Sequence, residues 1–113
     1  MNDCLFCKII AGEIPSTKIY EDESVYAFAD IDPKAPFHAV VVPKKHIASA
    51  AEITSENGVC VAKIYEAIAK IAKQEELDQG FRVVTNCGKD GGQTVGHLHF
   101  HLLARRYLQW PPG

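Results

Sequence analysis

A chain of 113 residues with 47% hydrophobic and 23% charged residues has the size and composition of one globular domain, 1–113, and is too apolar for a disordered polymer. Twelve basic against fourteen acidic residues give a net charge of -2, with no run of Lys or Arg longer than two, so nothing points to nucleic-acid or membrane partners. No run of about 18 apolar residues offers a membrane span and no charged-then-apolar leader opens the sequence, so the chain is expected to be cytoplasmic, with its four cysteines reduced or metal-bound.

In chain order, Asp3 is placed to cap a short helix from Cys4 to about Ala11, with Leu5, Phe6, Ile9 and Ile10 at helical spacing and Gly12 as its stop. Thr17 to Glu21 and Ser24 to Asp30 read as two strands around a Glu21-Asp22-Glu23 turn, and Asp32 to Pro36 reads as a loop. His38 to Val42 is a β-branched run suited to a central strand, ended by Pro43. After a helical turn over Ser49 to Ile53, Thr54 or Ser55 starts a long helix to about Leu77, with Val61, Ile64, Tyr65, Ile68, Ile71 and Ala72 forming its apolar stripe. Phe81 to Cys87 reads as a strand, Gly88 to Gly96 as a glycine-rich loop and Gly96 to Ala104 as the last strand. Strands with short turns, interrupted by one long helix, predict an α+β domain with an antiparallel sheet and helices on one face.

The last strand, GHLHFHLLA, carries the chemistry. Side chains alternate across a strand, so His97, His99 and His101 share one face and Leu98, Phe100 and Leu102 the other. At about 3.3 Å per residue the outer pair lies roughly 13 Å apart, too far for one metal ion to take all three. Neutral imidazole is a nucleophile toward phosphorus near pH 7, and His99, with a neighbour on each side, is the natural attacking group. A flanking imidazolium or hydroxyl can stabilise phosphoryl oxygens or protonate a leaving group. The preceding loop has four glycines in nine positions, with Lys89, Asp90, Gln93 and Thr94 between them, and suits an anion nest.

A metal reading stands beside this one. Cys4 and Cys7 form one CxxC, and His38, His46 and His97 are further candidate ligands; a closed structural zinc site or a hydrolytic zinc site are both open on spacing. Cys60 and Cys87 read as packed thiols, and Asp30 as either a sugar-diol acceptor or a turn residue.

The residues HLHFHLL, with CLFCKIIAGEIPSTKIYED, DIDP, PKKH, GGQTVGHLHFHLLA and the closing WPPG, resemble the histidine triad (HIT) family of nucleotide-binding proteins over essentially the whole chain. The closing WPPG is most like the HINT-like branch, which hydrolyses purine nucleoside phosphoramidates. The resemblance implies a five-stranded antiparallel sheet with one long and one short helix, and a homodimer joining two sheets into one of ten strands. It implies that His99 attacks the α-phosphorus of a purine nucleoside monophosphate derivative and becomes nucleotidylated before water releases the nucleotide. His38, His97 and His101 complete the histidine set, and Thr94 keeps a hydroxyl for the leaving group. Asp30 holds the ribose with Phe6 and Ile31 near the base, while Asn86, Gly92, Gln93, Thr94 and Val95 face the nucleotide. Trp110 reaches toward the partner's site. Cys4, Cys7, His46 and His97 form the family's structural zinc set. Thr94 stands where the phosphoramidase branch commonly has Ser, a feature shared with the dinucleoside polyphosphate hydrolases, and LLARRY departs from the usual LLGGR. The alternatives are therefore a dinucleoside polyphosphate hydrolase and a nucleotide sensor or scaffold with residual catalysis.

Overall fold

A computed structural model describes residues 3–113. Helix α1 (Leu5–Ile10) is followed by strands β1 (Lys18–Glu21), β2 (Val25–Ala29) and β3 (Phe37–Pro43), a 3-10 turn (Ala50–Glu52), helix α2 (Val59–Gln74), strand β4 (Phe81–Val84), a single helical turn α3 (Gly88–Gly91) and strand β5 (Phe100–Ala104). The strands form one five-stranded sheet in the order β1-β2-β3-β5-β4, antiparallel throughout, as expected.

Both faces of the sheet are covered, which corrects the expectation of helices on one face. Val25 and Ala27 of β2, with Val41, Phe100 and Leu102, pack against Ile64, Ala67, Ile68 and Ile71 of α2. Tyr26 and Phe28, the alternate residues of β2, with Val40 and Val42, pack instead against Phe6 and Ile9 of α1. Strand alternation produces this: β2 and β3 are apolar at successive positions, so each face needs its own cover.

Local chemistry adjusts several element ends. Cys4, not Asp3, is the N-cap of α1, its Sγ accepting from the Cys7 amide at 3.4 Å. Gly12 follows the helix with φ +81°, the left-handed position that glycine occupies without strain. The long helix begins at Val59 because the preceding turn satisfies itself: Asn57 Oδ1 accepts from the Thr54 amide, and Thr54 Oγ1 from the amides of Glu56 and Asn57. Its other end is a Schellman cap, with Leu77 N–H donating to Ala72 O and Glu76 N–H to Lys73 O, which places Glu76 at φ 56°. Pro43 stays inside β3, opposite Val25, rather than ending it. Regular pairing in β5 begins only at Phe100, yet the apolar alternation continues upstream, since Leu98 is in the α2-side core. Strand β4 stops at Val84, and α3 replaces part of the expected loop. Cys60 is half-buried, whereas Cys87 is exposed rather than packed.

Candidate functional site

The histidines of the triad and His38 lie on the α1 side of the sheet, and each of these rings has at least one nitrogen whose hydrogen-bond partner fixes the tautomer. His99 Nδ1 is 2.7 Å from the His97 carbonyl, which can only accept, so Nδ1 carries the proton of the neutral ring and the lone pair is on Nε2. His38 Nδ1 accepts from the Lys34 amide at 3.0 Å, which leaves its proton on Nε2. That nitrogen lies 2.9 Å from His101 Nδ1, so His38 donates to His101 and holds the His101 proton on Nε2. Asp30 Oδ2 lies 3.4 Å from His38 Nε2 and 3.9 Å from His101 Nδ1. Asp30, His38 and His101 are close enough to suggest a cation site. The tautomers argue against one, because the His38 nitrogen facing the cluster bears hydrogen.

Burial is the leading influence on His38 and His101. It holds His38 below the ordinary histidine value, with Asp30 opposing the effect, and it lowers His101, assisted by the neighbouring His99 and His38. Both rings are therefore neutral at pH 7. Phe6 meets the His99 ring edge-on with centroids 5.0 Å apart, and the Phe28 ring at 5.5 Å. One face of His99 is thus walled by α1.

His97 turns away to a second cluster. Its Nε2 donates to the Pro43 carbonyl at 2.9 Å, leaving the Nδ1 lone pair toward His46 Nδ1 at 3.1 Å, Cys4 Sγ at 3.3 Å and Cys7 Sγ at 3.5 Å. Cys7 Sγ is 3.4 Å from His46 Nδ1. A tetrahedral zinc ion with ordinary Zn–S and Zn–N bonds sets such atoms about 3.3 to 3.8 Å apart, so the donor set, the spacing and the buried carbonyl behind His97 fit the metal. Four protein ligands would fill the shell of such an ion and leave no position for substrate. The spacing argument of the sequence is upheld: His97 and His101 belong to separate clusters.

Two cavities meet at His99 and His101. An apolar one of about 380 Å³ is lined by Phe6, Ile31, Val95, Thr94 and Asp30, together with Ile14, Phe28 and Val40. A more polar one of about 540 Å³ adds His38, Asn86, Gly92 and Lys34. These account for most of the expected site residues. Gln93 instead braces its own loop, accepting from the Gly88 amide and donating to the carbonyls of Ala48 and Val95. Trp110 is exposed beneath the Arg82 guanidinium, 5.8 Å from its ring centroid, and lines neither cavity. Pro112, from the same tail, lines the polar one.

Sequence reasoning did not single out Phe28, although its alternation with Asp30 placed it on the histidine side. The Lys34 amide left no sequence signal, because a backbone donor has no residue type.

Comparison with known proteins follows the same lines. The HIT domain profile matches residues 11–108. The chain is similar to a histidine triad protein structure from Clostridium difficile, at 55% identity and TM-score 0.93 over 96% of each chain. It is also similar to a HIT family hydrolase structure from Legionella pneumophila, at 46% identity and TM-score 0.95, covering 98% of this chain and 100% of that one. Among curated sequences, a 14 kDa zinc-binding protein of Zea mays is 47% identical over 111 residues, 96% of this chain and 87% of that protein.

Proposed function

The chain belongs to the histidine triad (HIT) family, and from that premise we propose that it hydrolyses purine nucleoside 5′-phosphoramidates through a nucleotidylated His99. The observation that carries the proposal is the His99 tautomer: in the neutral ring, the bond from Nδ1 to the His97 carbonyl puts the lone pair on Nε2, at the junction of the two cavities. The purine enters the apolar cavity against Phe6, Phe28 and Ile31, the ribose hydroxyls meet Asp30, and the phosphate lies in the polar cavity. Nε2 attacks the α-phosphorus, the P–N bond breaks, and the departing amine takes the proton of the Thr94 hydroxyl. His101 Nε2–H is the donor for a phosphoryl oxygen, and the Thr94 hydroxyl borders both cavities for the leaving group. Water then attacks the phosphorus, breaking the bond to Nε2 and returning a proton to Thr94, which releases the nucleoside monophosphate and restores His99.

Cys4, Cys7, His46 and His97 would hold zinc, which supplies a cross-link between α1 and the segment before β5 and takes no part in bond making. The similarity to proteins named hydrolase and zinc-binding supports these assignments. A homodimer pairing through β4 is part of the same proposal, supported by the edge position of that strand and by exposed Phe81, Tyr65 and Tyr107.

Release of adenosine monophosphate from an adenosine phosphoramidate by wild type, and its loss in His99→Ala, tests the proposal; undiminished release in the variant would remove His99 from the reaction. A dinucleoside polyphosphate hydrolase would instead show the larger kcat/KM for diadenosine polyphosphates.

A further inference from the structure

Tyr26, Phe28 and Asp30 follow one another on one side of β2 and its extension, at about 6.6 Å per step. Sheet order fixes where the row stands relative to the histidines. His38 lies on β3 and His99 and His101 on or just before β5, Asp30 follows β2, and Ser16 leads into β1 on the opposite side of β2, where Thr17 O accepts from the Ala29 amide. Crossing the sheet away from the histidines, Asp30 therefore comes before Ser16.

The cluster around Tyr26 consists of Phe6, Ile9, Phe28, Val40 and Val42, so the Tyr26 hydroxyl is the polar exception among its buried members. The ring is buried, and its hydroxyl lies 2.9 Å from Ser16 Oγ. Ser16 lines the apolar cavity beside Ile14 and Pro15 and is exposed. Two hydroxyls bonded to each other use one of their two protons, leaving the second proton and several lone pairs for a third group. Such a pair can donate or accept.

We infer that the Ser16–Tyr26 hydroxyl pair is a specificity determinant that reads the 6-substituent of a purine in the apolar cavity. The inference rests on the nucleotide reading of the site. With the ribose on Asp30 and the phosphate among the histidines, the base edge farthest from the sugar is directed to the end of the cavity where Ser16 stands. On a purine attached through N9, that edge is the six-membered ring with its 6-position. A 6-amino group donates to the pair and a 6-oxo group accepts from it, so the pair distinguishes the presence of a substituent rather than its kind. A purine with only hydrogen at C6 makes neither bond.

The test is calorimetric titration of the full-length protein with adenosine 5′-monophosphate, inosine 5′-monophosphate and purine riboside 5′-monophosphate, for wild type, Ser16→Ala and Tyr26→Phe. Ser16→Ala changes an exposed residue and Tyr26→Phe keeps the ring, so both leave the fold in place. One neutral hydrogen bond at an exposed rim corresponds to wild type binding the two 6-substituted nucleotides about 3- to 10-fold more tightly than the unsubstituted one. In Ser16→Ala the gap closes to about 2-fold, and in Tyr26→Phe it narrows. Equal affinities in wild type, or a gap undiminished in both variants, overturns the role of the pair while leaving nucleotide binding intact. Failure of all three nucleotides to bind wild type overturns the nucleotide reading and this inference with it.

Discussion

Replacing His38 tests whether the site is organised by fixed proton positions. His38 is buried, accepts from the Lys34 amide at 3.0 Å and donates to His101 Nδ1 at 2.9 Å. His38→Leu leaves a donor and an acceptor without partners. An unsatisfied buried group costs about 1 to 3 kcal/mol, and access of water to the rim keeps the loss of stability near the lower end, about 2 kcal/mol in all. The bond that locks His101 is worth about 1 kcal/mol, so its loss frees the ring to place its proton on either nitrogen and lowers kcat/KM about 5- to 10-fold. Glutamine can reproduce both bonds, accepting through Oε1 and donating through Nε2, so His38→Gln stays within about 2-fold of wild type. Long-range 15N–1H correlation spectra of the imidazoles read the tautomers directly. Wild type shows His99 protonated on Nδ1 and His101 on Nε2, and His38→Leu shows a mixture at His101 alone. An unchanged His101 tautomer in His38→Leu would refute the reasoning. So would a fall in kcat/KM beyond about 10³, because that is the size expected of a group that itself transfers a proton.

Three further outcomes follow from the structure. Purified protein is expected to hold one zinc per chain, and chelation to lower Tm before it removes activity; activity lost at once from a still-folded protein contradicts the closed four-ligand reading of Cys4, Cys7, His46 and His97. Burial keeps the folded values of His38 and His101 below the ordinary 6.5, so in mild acid the unfolded chain binds more protons than the native one. Stability is therefore complete above pH 6.5 and declines as pH falls through the lowered folded values, which urea midpoints measured from pH 8 to pH 5 will show; a flat profile opposes it. Glu76 holds a left-handed backbone at φ 56° in the cap of α2, so Glu76→Gly is expected to raise stability by about 0.5 to 1 kcal/mol in urea denaturation, and a loss would show that the Glu side chain contributes more than the strain.

The histidine face was legible because a period of two survives even where regular pairing does not. Leu98 lies in the α2-side core although β5 begins at Phe100, so His97 and His99 keep the side that alternation gave them. The α2 stripe was equally plain, with Ile64, Ile68 and Ile71 buried at helical spacing. The two-sided sheet was harder to read. Val25 and Ala27 alternate with Tyr26 and Phe28, and a strand apolar on both faces does not say which helix takes which face. Cap positions failed where a competing local bond was available, as at Asn57 and Thr54. The proton network was invisible from sequence for a different reason: its controlling groups are the Lys34 amide and the carbonyls of His97 and Pro43, which every residue type possesses.

The central claim is that His99 Nε2 forms a covalent bond to phosphorus. Rapid acid-free quenching of a slow phosphoramidate turnover, followed by peptide mass spectrometry, is the direct measurement. A nucleotidyl adduct on the peptide carrying His97, His99 and His101, fragmenting to His99 and absent from His99→Ala, is the result expected. Turnover that proceeds with no adduct, or with the adduct on another histidine, contradicts it.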